Sequence, residues 1–158
     1  MYGLQSYYVK RYYRFRRCVF LLFFAFSLLS STSFADIAII VNKNSSLSVV
    51  TAKEISALFL AKTNRLKGTN LKPVDMPNGN ALRNDFYLSM TKKSAMQMKA
   101  YWSRLIFTGK GIPPPVAESA EDVIDIISDE LNYIGYVDAD DTGNRVKVLL
   151  TLPALNSD

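Results

Sequence analysis

The residues best suited to chemistry lie in one stretch, residues 71–86, with the sequence LKPVDMPNGNALRNDF. A β-type run over residues 71–75 enters a Pro-Asn-Gly-Asn turn, and helical periodicity begins at about Ala81. The first N–H groups of a helix have no intrahelical partner, and the helix dipole places partial positive charge at that end. A strand, a small-residue turn and a helix N-terminus therefore favour binding of an anion.

The candidate anion-binding residues belong to this turn and to the start of the helix: Asn78, Gly79, Asn80, Ala81, Leu82 and Arg83. Asn78 or Asn80 can cap the helix, Gly79 supplies a permissive backbone, and Arg83 adds a forked cation one turn into the helix. The alternative is an ordinary capped turn followed by a solvated arginine. These residues alone favour that alternative.

The first 35 residues have the features of a secretory signal peptide. Five basic residues precede an apolar run of 12 residues, 18–29, which is short for a membrane span. Ser33, Phe34 and Ala35 then form a small-x-small cleavage site. We expect export to the periplasm with cleavage after Ala35; an uncleaved N-terminal anchor is the alternative.

Removal of this segment changes the charge of the chain. It holds five of the 19 basic residues, so 14 basic and 14 acidic residues remain in residues 36–158. A neutral chain gives no indication of nucleic acid or an anionic membrane as a partner. Residues 36–158 also contain no cysteine and no histidine, which excludes disulfides and removes the usual zinc ligands and the commonest general base. We therefore expect no enzymatic activity, metal or cofactor.

The pattern of residues 36–150 predicts a single three-layer α/β domain with a mixed β-sheet flanked by helices, in the order β-α-β-α-α-α-β-β. Thr51 with Glu54, and Ser94 with Gln97, form capping boxes that predict two of the helices. Residues 61–70 are expected to be an exposed basic connection, and residues 151–158 a flexible C-terminal tail. The predicted core includes Ile39, Leu58, Phe59, Phe86, Trp102, Ile106, Ile124, Ile127 and Val137.

The remaining acidic residues give weaker signals. Asp75, Asp85 and Glu121 are expected at helix ends or on solvated faces. The aspartates of residues 138–144 loosely resemble a calcium loop, but Leu149 stands where the closing glutamate would be. A turn between two strands is the favoured interpretation of that segment.

Five segments, taken together and in order, resemble the phosphate-type substrate-binding proteins of ABC transporters, which have the type II periplasmic-binding-protein fold. They are IAIIVNKN at 37–44, ISALFLAK at 55–62, PVDMPNGNALRNDF at 73–86, YWSRLIFTGKGIPPP at 101–115 and NYIGYVDA at 132–139. The resemblance covers roughly residues 37–150. It implies a chain reduced to one lobe of a protein whose two lobes normally close on the anion.

The chain departs from the family pattern at the phosphate loop, which reads Arg, two variable residues and then Gly-Ser-Gly-Thr-Arg. Met76 stands at the first arginine, Asn80, Ala81 and Leu82 replace serine, glycine and threonine, and Arg83 keeps the second arginine. The resemblance thus implies weak binding of an oxyanion such as phosphate, or half of a binding or sensing assembly, with an ABC permease or another periplasmic or membrane protein as partner. The alternative is a periplasmic interaction or scaffold protein that has lost ligand binding.

Overall fold

The structure is a computed structural model that describes residues 36–153 and residue 155. The expected signal peptide, residues 1–35, lies outside the described residues. Every buried apolar residue of the described part belongs to one core, which extends from Ile37 to Leu152.

A four-stranded mixed sheet forms the centre of the domain, with the strand order β4-β5-β1-β6. Its strands are β1 (Ile37–Asn42), β4 (Lys72–Pro73), β5 (Tyr133–Asp138) and β6 (Val146–Leu152). β4 runs parallel to β5, whereas β1 is antiparallel to both β5 and β6. All six residues of β1 are buried, as its continuous β-branched run predicts.

Four helices connect these strands: α1 (Ala52–Phe59), α2 (Ala81–Thr91), α3 (Ala95–Phe107) and α4 (Ala120–Asp129). Both predicted capping boxes are confirmed. The side chains of Thr51 and Ser94 each accept the backbone N–H three residues ahead, and the side chains of Glu54 and Gln97 accept the backbone N–H of the capping residue. Ser119 caps α4 in the same position. Among the described helices, none combines the length and the apolarity needed to cross a bilayer.

The alternation of side chains along β5 fixes the three layers. Gly135 faces α4, and a Cβ added there would lie 2.6 Å from Val123 Cγ1. Tyr136 points to the opposite face, where its ring stacks on Phe86 of α2 and approaches Phe59 of α1. The predicted three-layer α/β domain with a mixed sheet is confirmed, with α4 on one face and α1 and α2 on the other.

The segment expected to be an exposed connection contains a small hairpin, β2 (Arg65–Leu66) and β3 (Thr69–Asn70). Its turn places Lys67 and Gly68 at positive φ. Leu66 is buried against the core, so this segment is fixed to the domain. The expectation of an exposed basic connection is wrong only at Leu66, since residues 61–65, 67, 68 and 70 are exposed.

Three further expectations were wrong in detail. Ile106 is 55% exposed, while the other predicted core residues are buried. Thr151 and Leu152 pair with Ala38 and Ile37, so β6 continues two residues into the expected tail. Asp75 was expected at a helix end or on a solvated face, yet it precedes the turn and is 1% exposed.

Candidate functional site

The predicted strand–turn–helix is present between β4 and α2. Within the turn, the N–H of Asn80 donates to the carbonyl of Pro77 at 3.1 Å, and Gly79 has a φ of +90°, a conformation that glycine adopts without strain. Asn80 is the cap of α2, because its Oδ1 accepts the N–H of Arg83 at 3.0 Å. The local geometry expected for residues 77–83 is therefore formed.

The candidate residues differ in exposure: Asn78, Gly79 and Ala81 are exposed, Asn80 and Leu82 are half-buried, and Arg83 is buried. The N–H groups of Ala81 and Leu82 have no acceptor among the residues that the structure describes. These are two of the orphan donors that a helix N-terminus presents. They are available to an anion that approaches the exposed side of the turn.

A network centred on Asp75 lies directly beneath this turn. Asp75 Oδ1 accepts the Tyr136 hydroxyl at 2.5 Å and the N–H of Met76 at 2.9 Å. Asp75 Oδ2 accepts Nε of Arg83 at 3.0 Å and the Tyr87 hydroxyl at 2.9 Å. Four donors thus surround a carboxylate that is almost fully enclosed, as a buried charge requires.

Arg83 is held in a fixed orientation by this network. Its side chain is 7% exposed, its Nε pairs with Asp75, and its guanidinium lies 4.8 Å from the centre of the Tyr87 ring. Within the described residues its two terminal nitrogens have no acceptor, and they are not among the fully enclosed unpaired atoms there, which are Asn84 Oδ1, Ser89 Oγ and Trp102 Nε1. The outer end of the guanidinium therefore contacts solvent. Because Asp75 compensates its charge, Arg83 offers directional donors and little net positive charge.

The two tyrosines of the network remain neutral hydrogen-bond donors. Burial raises the pKa of Tyr136 and of Tyr87 well above the usual range, and the negative charge of Asp75 raises both further. A neutral phenol can donate to Asp75, whereas a phenolate would repel it. The phenols consequently keep donating to Asp75 over the whole physiological pH range.

An aromatic cluster positions these polar groups. The rings of Phe86 and Tyr136 stack at 4.0 Å with an interplanar angle of 6°, and Phe59 meets Phe86 edge-to-face at 4.7 Å. Phe86 and Tyr87 are consecutive in α2, so the helix that presents the turn is fixed to the sheet by the same cluster. The candidate site is therefore held by packed elements, although the candidate residues themselves lie in and after a turn.

Sequence reasoning found the turn and Arg83 but missed Asp75, Tyr87 and Tyr136. One signal was available: Asp75 lies between Val74 and Met76 at the end of a strand, and an acidic residue within an apolar strand end suggests a buried partner. Tyr136 alternates with Gly135 along β5, which places it on the face of the sheet opposite the glycine. Neither pattern identifies Arg83 as the partner.

Charged side chains of two other segments, the hairpin at residues 65–70 and residues 138–144, have local polar partners. In the basic hairpin, Lys67 pairs with Glu54 at 2.9 Å and Arg65 Nε donates to Asn70 at 3.0 Å. In the segment 138–144, Asp138 accepts the N–H of Asp140 and begins a short 3-10 helix. No group of residues suited to holding a metal ion occurs in the described part of the chain.

Known proteins similar to this chain were found by comparing structures and not by comparing sequences. No family model matches the chain, and no curated protein matches it. Among solved structures, similarity extends to a putative phosphate ABC transporter substrate-binding protein with bound phosphate from Clostridium perfringens, with a TM-score of 0.59 and 16% identity over 73% of this chain. An ABC-type phosphate transport receptor from Vibrio cholerae has a TM-score of 0.57 and 14% identity over 73% of this chain. PstS from Borrelia burgdorferi has a TM-score of 0.54 and 17% identity over 75% of this chain.

The fold is that of one lobe of a periplasmic binding protein. The aligned part makes up 44%, 45% and 48% of the three neighbouring proteins, so this chain spans less than half of each. Those neighbours are binding proteins rather than enzymes. At these identities the similarity establishes the fold, while the ligand must be argued from the turn itself.

Proposed function

We propose that residues 36–158 form an exported single-lobe binding domain that holds a small oxyanion such as phosphate, weakly, at residues 78–83. One observation carries this proposal: the N–H groups of Ala81 and Leu82 at the N-terminus of α2 have no acceptor among the described residues, and Arg83 follows them in the first turn of the helix. Backbone donors, the helix dipole and a fixed guanidinium are the groups that recognise oxyanions. The phosphate described in the Clostridium perfringens neighbour agrees with this choice of ligand.

The expected affinity is low. An exposed helix N-terminus contributes about 0.3–1 kcal/mol towards an anion, and charge-assisted hydrogen bonds contribute roughly 1.5–3 kcal/mol each when protected from water. An open lobe leaves those bonds in competition with solvent, and Asp75 neutralises Arg83. A total on the order of 3–5 kcal/mol corresponds to a dissociation constant of about millimolar or weaker.

A partner would supply what a single lobe lacks. The neighbours named as ABC transport components make an ABC permease the natural partner class, and a second lobe from another periplasmic or membrane protein would close the site. The basic and apolar character of residues 1–35 supports export, with cleavage after Ala35. The intact mass of the periplasmic protein tests the cleavage: a mass that includes residues 1–35 would support an anchor instead.

Calorimetry with inorganic phosphate tests the site through a substitution that removes one donor. Ala81→Pro deletes one N–H at the first helical position, where proline is tolerated, and the extended conformation of Asn80 (φ −64°, ψ 131°) suits the residue before a proline. Ala95→Pro is the matched control, since Ala95 holds the same position in α3 after an extended Ser94. We expect Ala81→Pro to weaken binding by about threefold or more, the loss of one solvent-exposed hydrogen bond.

The same titration separates the competing outcomes. Ala95→Pro should bind phosphate as the parent chain does. A micromolar dissociation constant for the monomer would contradict the single-lobe argument, because no additional donors are visible at the turn. Equal weakening by both proline variants would show a general loss of structure and would remove the support for this site.

A scaffold without ligand is the second candidate, and the Asp75–Arg83 pair is the observation that favours it. A cation paired with an enclosed carboxylate can serve the packing of α2 against the sheet alone. Under this alternative the domain would act through a protein contact, and we propose residues 62–67 and residues 113–115 as the surfaces that make it. If phosphate, sulfate and nucleotides produce no heat of binding in calorimetry and no change in the melting temperature, the scaffold is favoured over the binding domain.

A further inference from the structure

The charges of residues 36–158 are equal in number but segregated along the chain and in space. Between Asp85 and Glu118 there are five basic residues and no acidic residue, whereas residues 111–144 contain nine acidic residues and no basic one. The basic stretch includes α3, which lies on the α1 and α2 side of the domain, where the Tyr101 hydroxyl donates to the carbonyl of Leu60. The acidic stretch includes α4, which packs on the opposite face of the sheet.

α3 carries apolar side chains on the side that faces away from the core. Only Met98 and Trp102 of this helix are buried. The opposite side presents, at helical spacing, Met96, Lys99, Ser103, Ile106 and Phe107. Phe107 is 92% exposed and Met96 is 81% exposed. The outer face therefore presents Met96 near the start of the helix and Ile106 and Phe107 at its end, with Lys99 and Ser103 between them. It is about 16 Å long at the rise of an α-helix.

The turn that follows α3 extends this surface. The helix is terminated at residues 108–111, where Gly109 has a φ of +63°, and Lys110 is exposed. Ile112 follows at 80% exposure. The result is a tip with exposed apolar side chains, close in sequence to Arg104 and Lys110. Exposed apolar side chains of this kind can enter the boundary between lipid headgroups and acyl chains.

We propose that the outer face of α3, together with the tip at residues 106–112, docks the domain on an anionic phospholipid surface. Interfacial helices place Phe, Ile and Met at the boundary of headgroups and acyl chains while Lys and Arg meet the lipid phosphates. The complete absence of acidic residues over residues 86–117 is the charge complementarity that this surface needs. The helix lies on the membrane and does not span it.

Two protein partners could cover the same face in place of lipid. The acidic residues around α4 of a second copy could meet the basic α3, which would give a dimer or a chain of copies. An unrelated acidic protein could do the same. Lipid is favoured over both because exposed apolar residues alternate with lysine and arginine on this face and in the turn after it, which is the composition of an interfacial helix on anionic lipid.

Vesicle co-sedimentation of residues 36–158, the chain left by the proposed cleavage after Ala35, tests this proposal, and a cooperative urea melt of the same sample checks that it is folded. The probes are vesicles of phosphatidylcholine alone and vesicles with about one third phosphatidylglycerol, in low and in high salt. We expect binding to the anionic vesicles that high salt abolishes, because lipid attraction of basic residues is screened beyond a Debye length. The zwitterionic vesicles should retain little protein.

Paired substitutions separate the apolar and basic contributions. Phe107→Ser should weaken binding at least about tenfold, since an exposed Phe gains more than ~1.4 kcal/mol on transfer. Lys99→Gln should weaken it by roughly fivefold at low salt. The matched controls are Val49→Ser, at another exposed apolar residue in the loop before α1, and Lys43→Gln, at a surface lysine after the end of β1. Neither control should change binding.

Three outcomes would overturn the proposal. The first is absence of binding to anionic vesicles at low salt. The second is binding that Phe107→Ser and Lys99→Gln leave unchanged. The third is self-association in sedimentation equilibrium that Phe107→Ser abolishes, without vesicle binding, which would assign this face to a second copy of the chain.

Discussion

Asp75 and Arg83 are the two charged residues buried in the described domain, and each depends on the other. They are eight residues apart, one before the turn and one within α2, and join at 3.0 Å through Arg83 Nε. Replacing such a pair by apolar residues can be neutral, but removing one partner leaves a buried charge without compensation. The pair therefore ties the conformation of the turn to the stability of the domain.

Substitution of Asp75 should destabilise the domain strongly. Asp75→Ala leaves Arg83 buried and unpaired and removes the acceptor of two phenols, so we expect a loss of about 3–5 kcal/mol in the free energy of unfolding. Urea melts measure this loss. Asp129→Ala, at an exposed carboxylate, is the control and should stay within about 0.5 kcal/mol. A loss below about 1 kcal/mol for Asp75→Ala would mean that the pair is not enclosed.

The two enclosed phenols predict a loss of stability at alkaline pH. The pKa of Tyr87 and of Tyr136 is raised in the folded state, first by burial and then by Asp75. Above about pH 10 the unfolded chain releases these protons while the folded chain keeps them. The folded state then binds more protons, so the free energy of unfolding falls as the pH rises, by up to about 1.4 kcal/mol per pH unit for each phenol.

Urea melts between about pH 8 and pH 11.5 test this dependence. Tyr87→Phe should be less stable than the parent chain near neutral pH, because Asp75 loses a donor, but its stability should fall less steeply above about pH 10. Ultraviolet absorbance of phenolate should show Tyr87 and Tyr136 ionising only on unfolding. A stability that stays constant across this alkaline range would refute the enclosed network.

At the scale of elements, α3 provides a direct contrast between its two faces. Trp102 is buried, whereas Phe107 at the end of the same helix projects into solvent. Trp102→Ala should therefore cost roughly 3–5 kcal/mol, and Phe107→Ala should change the stability by no more than about 0.5 kcal/mol. Similar losses for both, measured in urea, would show that α3 presents a different face to the core.

Local signals predicted the elements well because they act over three or four residues. The capping pairs Thr51 with Glu54 and Ser94 with Gln97 predicted two helix starts, and both are formed. The spacing of Ile106 continues the apolar face of α3 and wrongly predicts its burial. The error arises because periodicity cannot show where a helix extends beyond the element that covers it.

At the scale of the molecule, the order of segments predicted the fold, but the chemistry of the site needed tertiary structure. A strand, a turn and a helix N-terminus were predicted around residues 77–83, and that backbone arrangement is present. Asp75 and Arg83 are close in sequence, but a further donor to Asp75, the Tyr136 hydroxyl, comes from β5, 61 residues away. The net charge of residues 36–158 is zero and does not show that basic residues lie on α3 and acidic residues on α4, because composition does not tell which residues share a face of the sheet.

An amide-resolved NMR titration with inorganic phosphate shows directly whether the turn at residues 77–83 binds an anion. We predict shifts that saturate at millimolar phosphate and are concentrated at the N–H groups of Gly79, Ala81 and Leu82 and at the side-chain nitrogens of Arg83. Chloride at equal ionic strength is the control and should leave these resonances nearly unchanged. Shifts confined to residues outside 76–84, or no shift at these groups with tens of millimolar phosphate, would contradict anion binding at the turn.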